Sequence, residues 1–198
     1  MSTRNPSQQA TGQLSHNAHP HEGADCHCGS SSAKTLVAGS RRIALAGAPN
    51  AGKTSIYNAL TGLHAKTGNY PGVTVQRSMG TCKVGGKTLT IEDLPGAYSL
   101  DPISPDEQIV HDVLTGTSTT VSAPDALVIV VDATTLQRGM NFIAEALALE
   151  LPTCLVVTMT DELTRRAGRL DVAALGQALG IPAVRVVGNR SIGIPELR

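Results

Sequence analysis

The chain has 198 residues with 16 acidic and 16 basic side chains, and charged residues make up 16% and aromatic ones 2% of the whole. That length holds one domain with a full core plus an extension, and the balanced charge excludes a strong field drawing the chain to nucleic acid or an acidic membrane surface. With so few aromatics the core must be built from Val, Leu, Ile and Ala, which suits a buried α/β sheet. No apolar run approaches the roughly 18 residues of a bilayer-spanning helix, and the N-terminus is too polar for a secretory signal, so the segment reads as soluble.

From Met1 to Ser40 the chain is Ser, Thr, Gln, Asn, Gly and His with almost no large apolar residue. Such a stretch cannot bury enough surface to offset its ordering entropy, and it reads as a disordered tail over residues 1–40. It holds His16, His19, His21, Cys26, His27 and Cys28, imidazole and thiol groups of the kind that bind borderline-soft transition metals. The spacing lacks the two separated ligand pairs of a zinc finger. A divalent metal on the tail is therefore one reading, and a solvated low-complexity segment is the other. Cys82 and Cys154 sit in strand-like runs and read as small buried hydrophobes, so no disulfide framework is indicated.

The domain proper starts at residue 41. An apolar run from Arg42 to Ala46 leads into Gly47-Ala48-Pro49-Asn50-Ala51-Gly52-Lys53-Thr54, and Ser55 to Leu60 continues as a helix. This is the strand, G-x-x-x-x-G-K-[ST] loop and helix order of a phosphate-binding loop. Glycines 47 and 52 let the backbone turn its N–H groups inward at phosphate oxygens beside the positive end of the helix dipole. Lys53 would reach the β- and γ-phosphates, and the Thr54 hydroxyl would ligate magnesium.

Leu63 to Val75 is a Gly- and Pro-punctuated stretch read as a long connection without secondary structure, which is uncommon unless it works. In a nucleotide switch its segment Gly72-Val73-Thr74-Val75-Gln76 would fold over the nucleotide, with Thr74 offering its hydroxyl to magnesium. Gln76 to Val84 and Lys87 to Glu92 read as a hairpin turning at Gly85-Gly86. The second of these strands runs into Asp93-Leu94-Pro95-Gly96 at the ligand-binding end of the sheet. Asp93 would hold magnesium through water and the Gly96 N–H would bond the γ-phosphate. Ala97 follows, where many nucleotide switches carry the glutamine that orients the attacking water. Ser104-Pro105-Asp106-Glu107 opens a helix, with Ser104 as N-cap, Pro105 at the first helical position and Glu107 closing a capping box.

In the second half, Ala126 to Asp132 reads as a fully buried strand, Gly139 to Glu150 as an amphipathic helix, and Pro152 to Val157 as a fifth strand ending in Thr158-Met159-Thr160-Asp161. Asp171 caps a helix through Leu179, and Pro182 to Val187 is a sixth strand ending at Gly188-Asn189. The chain stops at Ile194-Pro195-Glu196-Leu197-Arg198, which reads as the first turn of a further helix. The expected fold is therefore α/β, with six strands, mostly parallel, one antiparallel edge strand and flanking helices.

Taken together, the phosphate loop with Pro49-Asn50, the segment Gly68 to Val75, Asp93 to Leu100, Ser104 to Gln108, Val131 to Thr134 and Thr158 to Asp161 resemble the N-terminal G domain of the FeoB family of bacterial ferrous-iron transporters. The resemblance implies a Ras-like P-loop GTPase fold over residues 41–198, slow magnesium-dependent GTP hydrolysis, and potassium activation through Asn50. Its catalytic set would be Asn50, Lys53, Thr74 and Gly96. It implies a hydrophobic residue in place of the catalytic glutamine, matched by Ala97, and a location on the cytoplasmic face of the inner membrane. GTP or GDP would be the ligand. The partners would be the helical and transmembrane domains of the same transporter, outside this chain, and small Feo accessory proteins, with no nucleic acid. Two departures stand out. The guanine-reading motif N-x-x-D has Thr158 at its first position, and the later base loop reads Val187-Gly188-Asn189. Asp161 keeps the carboxylate that accepts from the guanine edge, so the expectation is a retained preference for guanine at lower affinity. Alternatives are a ribosome- or tRNA-associated GTPase, and a low-turnover nucleotide- or metal-responsive binding module.

The tail generates its own test. Calorimetry of a peptide covering it should show heat on adding a divalent transition metal, with zinc or copper competing well with ferrous iron. Heats no larger than those of a Cys-to-Ser, His-to-Ala control would leave only the solvated low-complexity reading.

Overall fold

The computed structural model describes residues 40–63, 65–187 and 192–198. The tail through residue 39, with the disorder and metal binding expected of it, lies outside the described residues. Strand β1 (Arg42–Ala46) is followed by α1 (Lys53–Thr61), β2 (Ala65–Asn69), β3 (Gln76–Val84), β4 (Lys87–Asp93) and α2 (Pro105–Thr115). Then come β5 (Ala126–Asp132), a 3-10 turn over Ala133–Thr135, α3 (Leu136–Leu147), β6 (Thr153–Thr158), α4 (Thr160–Arg165), α5 (Val172–Leu179), β7 (Ala183–Arg185) and α6 (Ile194–Leu197).

The strands form one sheet in the order β2-β3-β4-β1-β5-β6-β7. Parallel pairing joins β4, β1, β5, β6 and β7, and β3 alone runs against the rest, antiparallel to both β2 and β4. The α/β architecture is the one expected, but the sheet has seven strands instead of six. The additional strand is β2, which lies inside the stretch expected to be an unstructured connection. Its sequence, Ala-Lys-Thr-Gly-Asn, has neither alternation nor β-branched bulk beyond Thr67, so only its neighbour makes it a strand. Ala65 faces Gly80 and Asn69 faces Gln76 across the ladder. The hairpin is closed by Tyr70 N–H donating to the Val75 carbonyl at 2.9 Å.

Period-2 alternation along the buried strands sorts side chains to two cores. Ala44, Ala46, Leu127, Ile129, Val131, Leu155 and Val157 face one side, against Val110 and Val113 of α2 and Phe142, Ile143 and Ala146 of α3. Leu45, Val128, Val130 and Val156 face the other, against Ile56, Tyr57 and Leu60 of α1 and Ile194 of α6. Covering both faces is what makes β5 and β6 read as unbroken apolar runs. Among the described residues no helix is long and apolar enough to cross a membrane.

One charge is buried in the first of these cores. Glu92 of β4 has no exposed surface. Its Oε2 accepts from Arg42 Nε at 2.9 Å and Nη2 at 2.6 Å, and its Oε1 accepts from Arg77 Nε at 2.8 Å and the Tyr70 hydroxyl at 3.0 Å. The guanidinium of Arg77 also lies 5.5 Å from the Tyr70 ring centroid. This cluster stitches β1, β3 and β4 to Tyr70, at the end of the edge hairpin. Burial and the adjacent carboxylate hold the Tyr70 phenol above its usual range, so it remains a donor.

Removing the carboxylate charge leaves two partly buried guanidinium groups without their shared counter-ion. Glu92→Gln should therefore cost about 3–5 kcal/mol in urea unfolding. Replacing Glu92, Arg42 and Arg77 together by apolar residues of similar volume should restore most of that loss. A single-variant cost below about 1 kcal/mol would show that the cluster holds little of the fold.

Candidate functional site

The phosphate loop spans from the end of β1 to the start of α1. Gly47 has φ 140° and Gly52 φ 89°, and a Cβ at Gly47 would run into the Val130 carbonyl of β5. Asn50 itself has φ 61°, a left-handed conformation that asparagine tolerates better than most side chains. No side chain caps the N-terminus of α1, so its first N–H groups are open to an anion.

Lys53 folds back under the loop. Its buried Nζ donates to the Gly47 carbonyl at 3.0 Å and the Ala48 carbonyl at 2.9 Å, leaving one of its three protons for a ligand. Burial lowers its pKa, and the charge of Asp93 acts in the opposite sense.

The Thr54 hydroxyl donates to Asp93 Oδ2 at 2.9 Å. Asp93 Oδ1 is buried with no partner in the protein. Burial raises the Asp93 pKa, while the Thr54 bond and the Lys53 charge lower it. Two hard oxygen groups side by side, one with a buried and unsatisfied lone pair, fit magnesium. The Asp93-Leu94-Pro95-Gly96 segment is bound to the loop through its backbone. Leu94 N–H donates to the Leu45 carbonyl at 3.0 Å and Ala97 N–H to the Gly47 carbonyl at 3.1 Å. A Cβ on Gly96 would lie 2.6 Å from Pro49 Cγ, so only glycine permits this approach. Ala97 is fully buried in the core and presents nothing to the loop's ligand side.

Pro49, Asn50, Lys53, Thr54, Gln76, Asp93 and the segment through Gly96 line one cavity of about 340 Å³. Gly52, Ser55, Thr158, Met159, Asp161 and Val187 line a second of about 410 Å³. The phosphate loop lies between the two, with Gly52 on the second and its neighbour Lys53 on the first. Gly72, Val73 and Thr74 line neither. They form the exposed turn between β2 and β3, where Val73 borders a separate groove beside Ile109 and Val113 of α2. Val75 packs half-buried against the core. Thr160 is buried, its hydroxyl unpartnered. Gly188 and Asn189 lie outside the described residues.

Thr158 does more than its size suggested. Its short hydroxyl reaches the phosphate loop. Oγ1 lies 2.8 Å from the Ala51 carbonyl and 3.0 Å from the Val131 carbonyl, at 4% exposure, and so ties β6 to the phosphate loop and to β5. Met159 caps α4 in a left-handed conformation, φ 53°. Asp161 then stands in the first turn of α4, a helix that sequence periodicity missed because it is only six residues long.

Several functional neighbours were not legible. Ser78 joins the first cavity, and Glu162 and Arg165 the second. Arg165 Nη2 lies 2.8 Å from Glu162 and 3.5 Å from Asp161. Glu107 departs from a simple capping box. Its N–H donates to Ser104 Oγ at 3.2 Å as expected, but its carboxylate accepts from the Ile103 N–H at 3.1 Å and the Tyr98 N–H at 3.4 Å. Glu145 of α3 takes both the Ser99 hydroxyl, at 3.0 Å, and the Leu100 N–H. The segment after Gly96 is thus clamped by two carboxylates from two helices.

A sequence model of the family described as ferrous iron transport protein B matches residues 41–198. The Fe(2+) transport protein A/Fe(2+) transporter FeoB fusion protein of Porphyromonas gingivalis is 40% identical over 156 residues, covering 79% of this chain and 18% of that protein. The Fe(2+) transporter FeoB of Leptospira biflexa is 38% identical over 158 residues, covering 80% and 22%. The chain thus spans about a fifth of the length of these relatives. The crystallised G domain of the T. maritima FeoB iron transporter superposes with a TM-score of 0.71 at 35% identity, covering 79% of this chain and 93% of that one. A mutant S. thermophilus NFeoB bound to GDP superposes at 0.69 with 36% identity, covering 79% and 58%. Match, fold and the paired Thr54 and Asp93 under a phosphate loop agree, and the chain belongs to the FeoB family as an N-terminal G domain.

Proposed function

We propose that this domain binds and hydrolyses GTP with magnesium, and that its nucleotide state regulates or drives ferrous-iron uptake by the membrane part of a longer transporter, from its cytoplasmic face. The observation that carries the reading is the Thr54–Asp93 pair, with its buried unpartnered Oδ1, beside a phosphate loop that leads into a helix N-terminus without a side-chain cap. GDP in the S. thermophilus relative supports guanine nucleotide as the ligand. Family membership stands against the ribosome- or tRNA-associated alternative.

The loop N–H groups and the remaining Lys53 proton hold the β- and γ-phosphates. Thr54 and Asp93, joined by Thr74 once the 71–74 turn moves, would hold magnesium, which would supply positive charge for the phosphoryl oxygens. The Gly96 N–H donates to the γ-phosphate, so the loss of that phosphate on hydrolysis is felt by the backbone of Asp93 to Ala97. Asp161 takes the two donors of the guanine edge. Asn50 is exposed on the phosphate side, where its amide oxygen can hold potassium against the phosphates; no arginine of the described residues lines that cavity.

Two experiments test this. GTP turnover should be faster in potassium than in sodium at matched ionic strength, and Asn50→Ala should lose the difference; equal rates in both salts would remove potassium from the mechanism. In Asp93→Asn, magnesium should no longer tighten GTP binding, a loss of at least about tenfold, while affinity in chelator stays at the parent value. Burial already disfavours the ionised carboxylate, so the nucleotide-free variant should unfold no earlier than the parent. Retained magnesium dependence would place the metal elsewhere.

A further inference from the structure

Among the described residues three buried side-chain atoms have no hydrogen-bond partner: Tyr57 Oη, Asp93 Oδ1 and Thr160 Oγ1. The first two belong to one corner of the fold. Tyr57 follows Thr54 by three residues in α1, which sets both on one face of the helix. Helical side chains lean toward the N-terminus, so the Tyr57 ring reaches back along the turn that carries Thr54, whose hydroxyl lies 2.9 Å from Asp93 Oδ2. On β4, alternation puts Asp93 on the same face as Ile91, and Ile91 and Tyr57 share one core cluster. Helix and strand thus bring the phenol and the carboxylate together from two directions. Burial and then the Asp93 charge push the Tyr57 phenol up to about 12, so it stays a donor.

Asp93 lines the phosphate cavity, whereas Tyr57 is 2% exposed and lines neither that cavity nor the second one. The hydroxyl therefore stands behind the carboxylate, out of reach of a ligand. Packing does not account for it, because phenylalanine would fill the same core volume without burying an unpaired oxygen. One of the two orphaned atoms is a donor and the other an acceptor, both are buried, and they are not bonded to each other. These are the conditions under which one ordered water bridges two groups. A carboxylate oxygen carries two lone pairs, so Oδ1 can take such a water and still face an ion.

We propose that Tyr57 is a positioning residue for Asp93: through one bridging water its hydroxyl holds the carboxylate in the orientation in which, with Thr54, it meets magnesium. This rests on the reading of the Thr54–Asp93 pair as the magnesium site. A carboxylate held from behind loses less freedom when the ion binds, and outer groups of this kind are worth about tenfold to a hundredfold in metal affinity. Because the hydroxyl acts through Asp93 and touches no nucleotide atom, it alters nucleotide binding only where magnesium takes part.

The test is titration of the whole chain with a β,γ-imido analogue of GTP at increasing magnesium, on the parent and on Tyr57→Phe. The variant should need at least about tenfold more magnesium to reach half of the tightening seen in the parent. Its affinity in chelator and its nucleotide-free unfolding midpoint should stay at the parent values. A magnesium requirement within about twofold of the parent's overturns the inference, and the Asp93→Asn result then decides the magnesium reading by itself. Weaker binding in chelator, or earlier unfolding without nucleotide, also overturns it, since Tyr57 would then be a packing residue. A second measurement needs no Tyr57 variant to fold. The chain has three tyrosines, and with their ring Cζ carbons labelled, adding magnesium to the analogue complex should shift the Tyr57 signal, identified by the loss of the other two in Tyr70→Phe and Tyr98→Phe. An unmoved Tyr57 signal removes the link to Asp93. If magnesium does not tighten the analogue on the parent chain, the reading of the site falls and this inference with it.

Discussion

A loop that binds an anion through its N–H groups must first dispose of its carbonyls, since each peptide that turns its N–H inward sends its C=O the other way. Here the outward carbonyls are taken one by one. Gly47 is met by Lys53 Nζ and the Ala97 N–H, Ala48 by Lys53 Nζ and the Ala51 N–H, Ala51 by Thr158 Oγ1, and Gly52 by the Ile56 N–H. The donors come from the loop itself, from α1, from the segment after β4, and from β6. The sheet order sets β4 and β5 on either side of β1 with β6 beyond β5, so the strand ends that carry Asp93 and Thr158 converge on the loop that leaves β1. The loop is preorganised by the fold before any ligand arrives, and its binding energy is not spent on ordering it.

Two adjacent acids on β4 show what separates a structural carboxylate from a functional one. Glu92 and Asp93 point to opposite faces of the sheet, as neighbours on a strand must. Glu92 receives four donors from three residues and has no lone pair left for a ligand. Asp93 receives one donor, from Thr54, and keeps a buried oxygen without a partner. A protein that evolved only for stability would not leave that oxygen orphaned, because a buried unsatisfied acceptor costs about 1–3 kcal/mol. On the function proposed here the deficit at Asp93 is the capacity to bind an ion, and the surplus at Glu92 holds the edge hairpin beside it.

What could be read from the sequence follows from which features are local. The phosphate loop, the Asp93 to Gly96 turn, the Ser104 N-cap and the unbroken apolar strands each carry their signal within a few residues, and each lies where it was expected. Strand β2 carries none of its own, because Lys66 to Asn69 is exposed and polar and the strand pairs only through the ladder that β3 offers. Helix α4 is too short to show a period. The partners of Glu92 lie 50, 15 and 22 residues away in sequence, so nothing beside Glu92 in the sequence marks it as the centre of a buried cluster. The same holds at Thr158, where the departure from N-x-x-D was visible but the acceptor it serves, 107 residues earlier, was not.

Two segments next in sequence to residues that line the phosphate cavity are held by unequal means, and this decides which of them can move at small cost. Residues 98–103 are fixed by the Glu107 and Glu145 carboxylates and by His111 Nδ1, 2.7 Å from the Leu100 carbonyl. Displacing them means stripping the first turn of α2 and releasing α3. Residues 71–74 have exposed side chains and are closed by two backbone bonds, Tyr70 N–H to Val75 O at 2.9 Å and Val73 N–H to Tyr70 O at 3.2 Å. Local opening energies follow the buried contacts and hydrogen bonds that are broken, so the turn yields first. Its flanks do not yield with it, because Tyr70 is buried and bonded to Glu92 and Val75 packs on the core. Any motion that carries the Thr74 hydroxyl toward the Thr54–Asp93 pair is therefore confined between two fixed points, and Gly72, already at φ 82°, is the residue in that span with the widest backbone freedom to supply it.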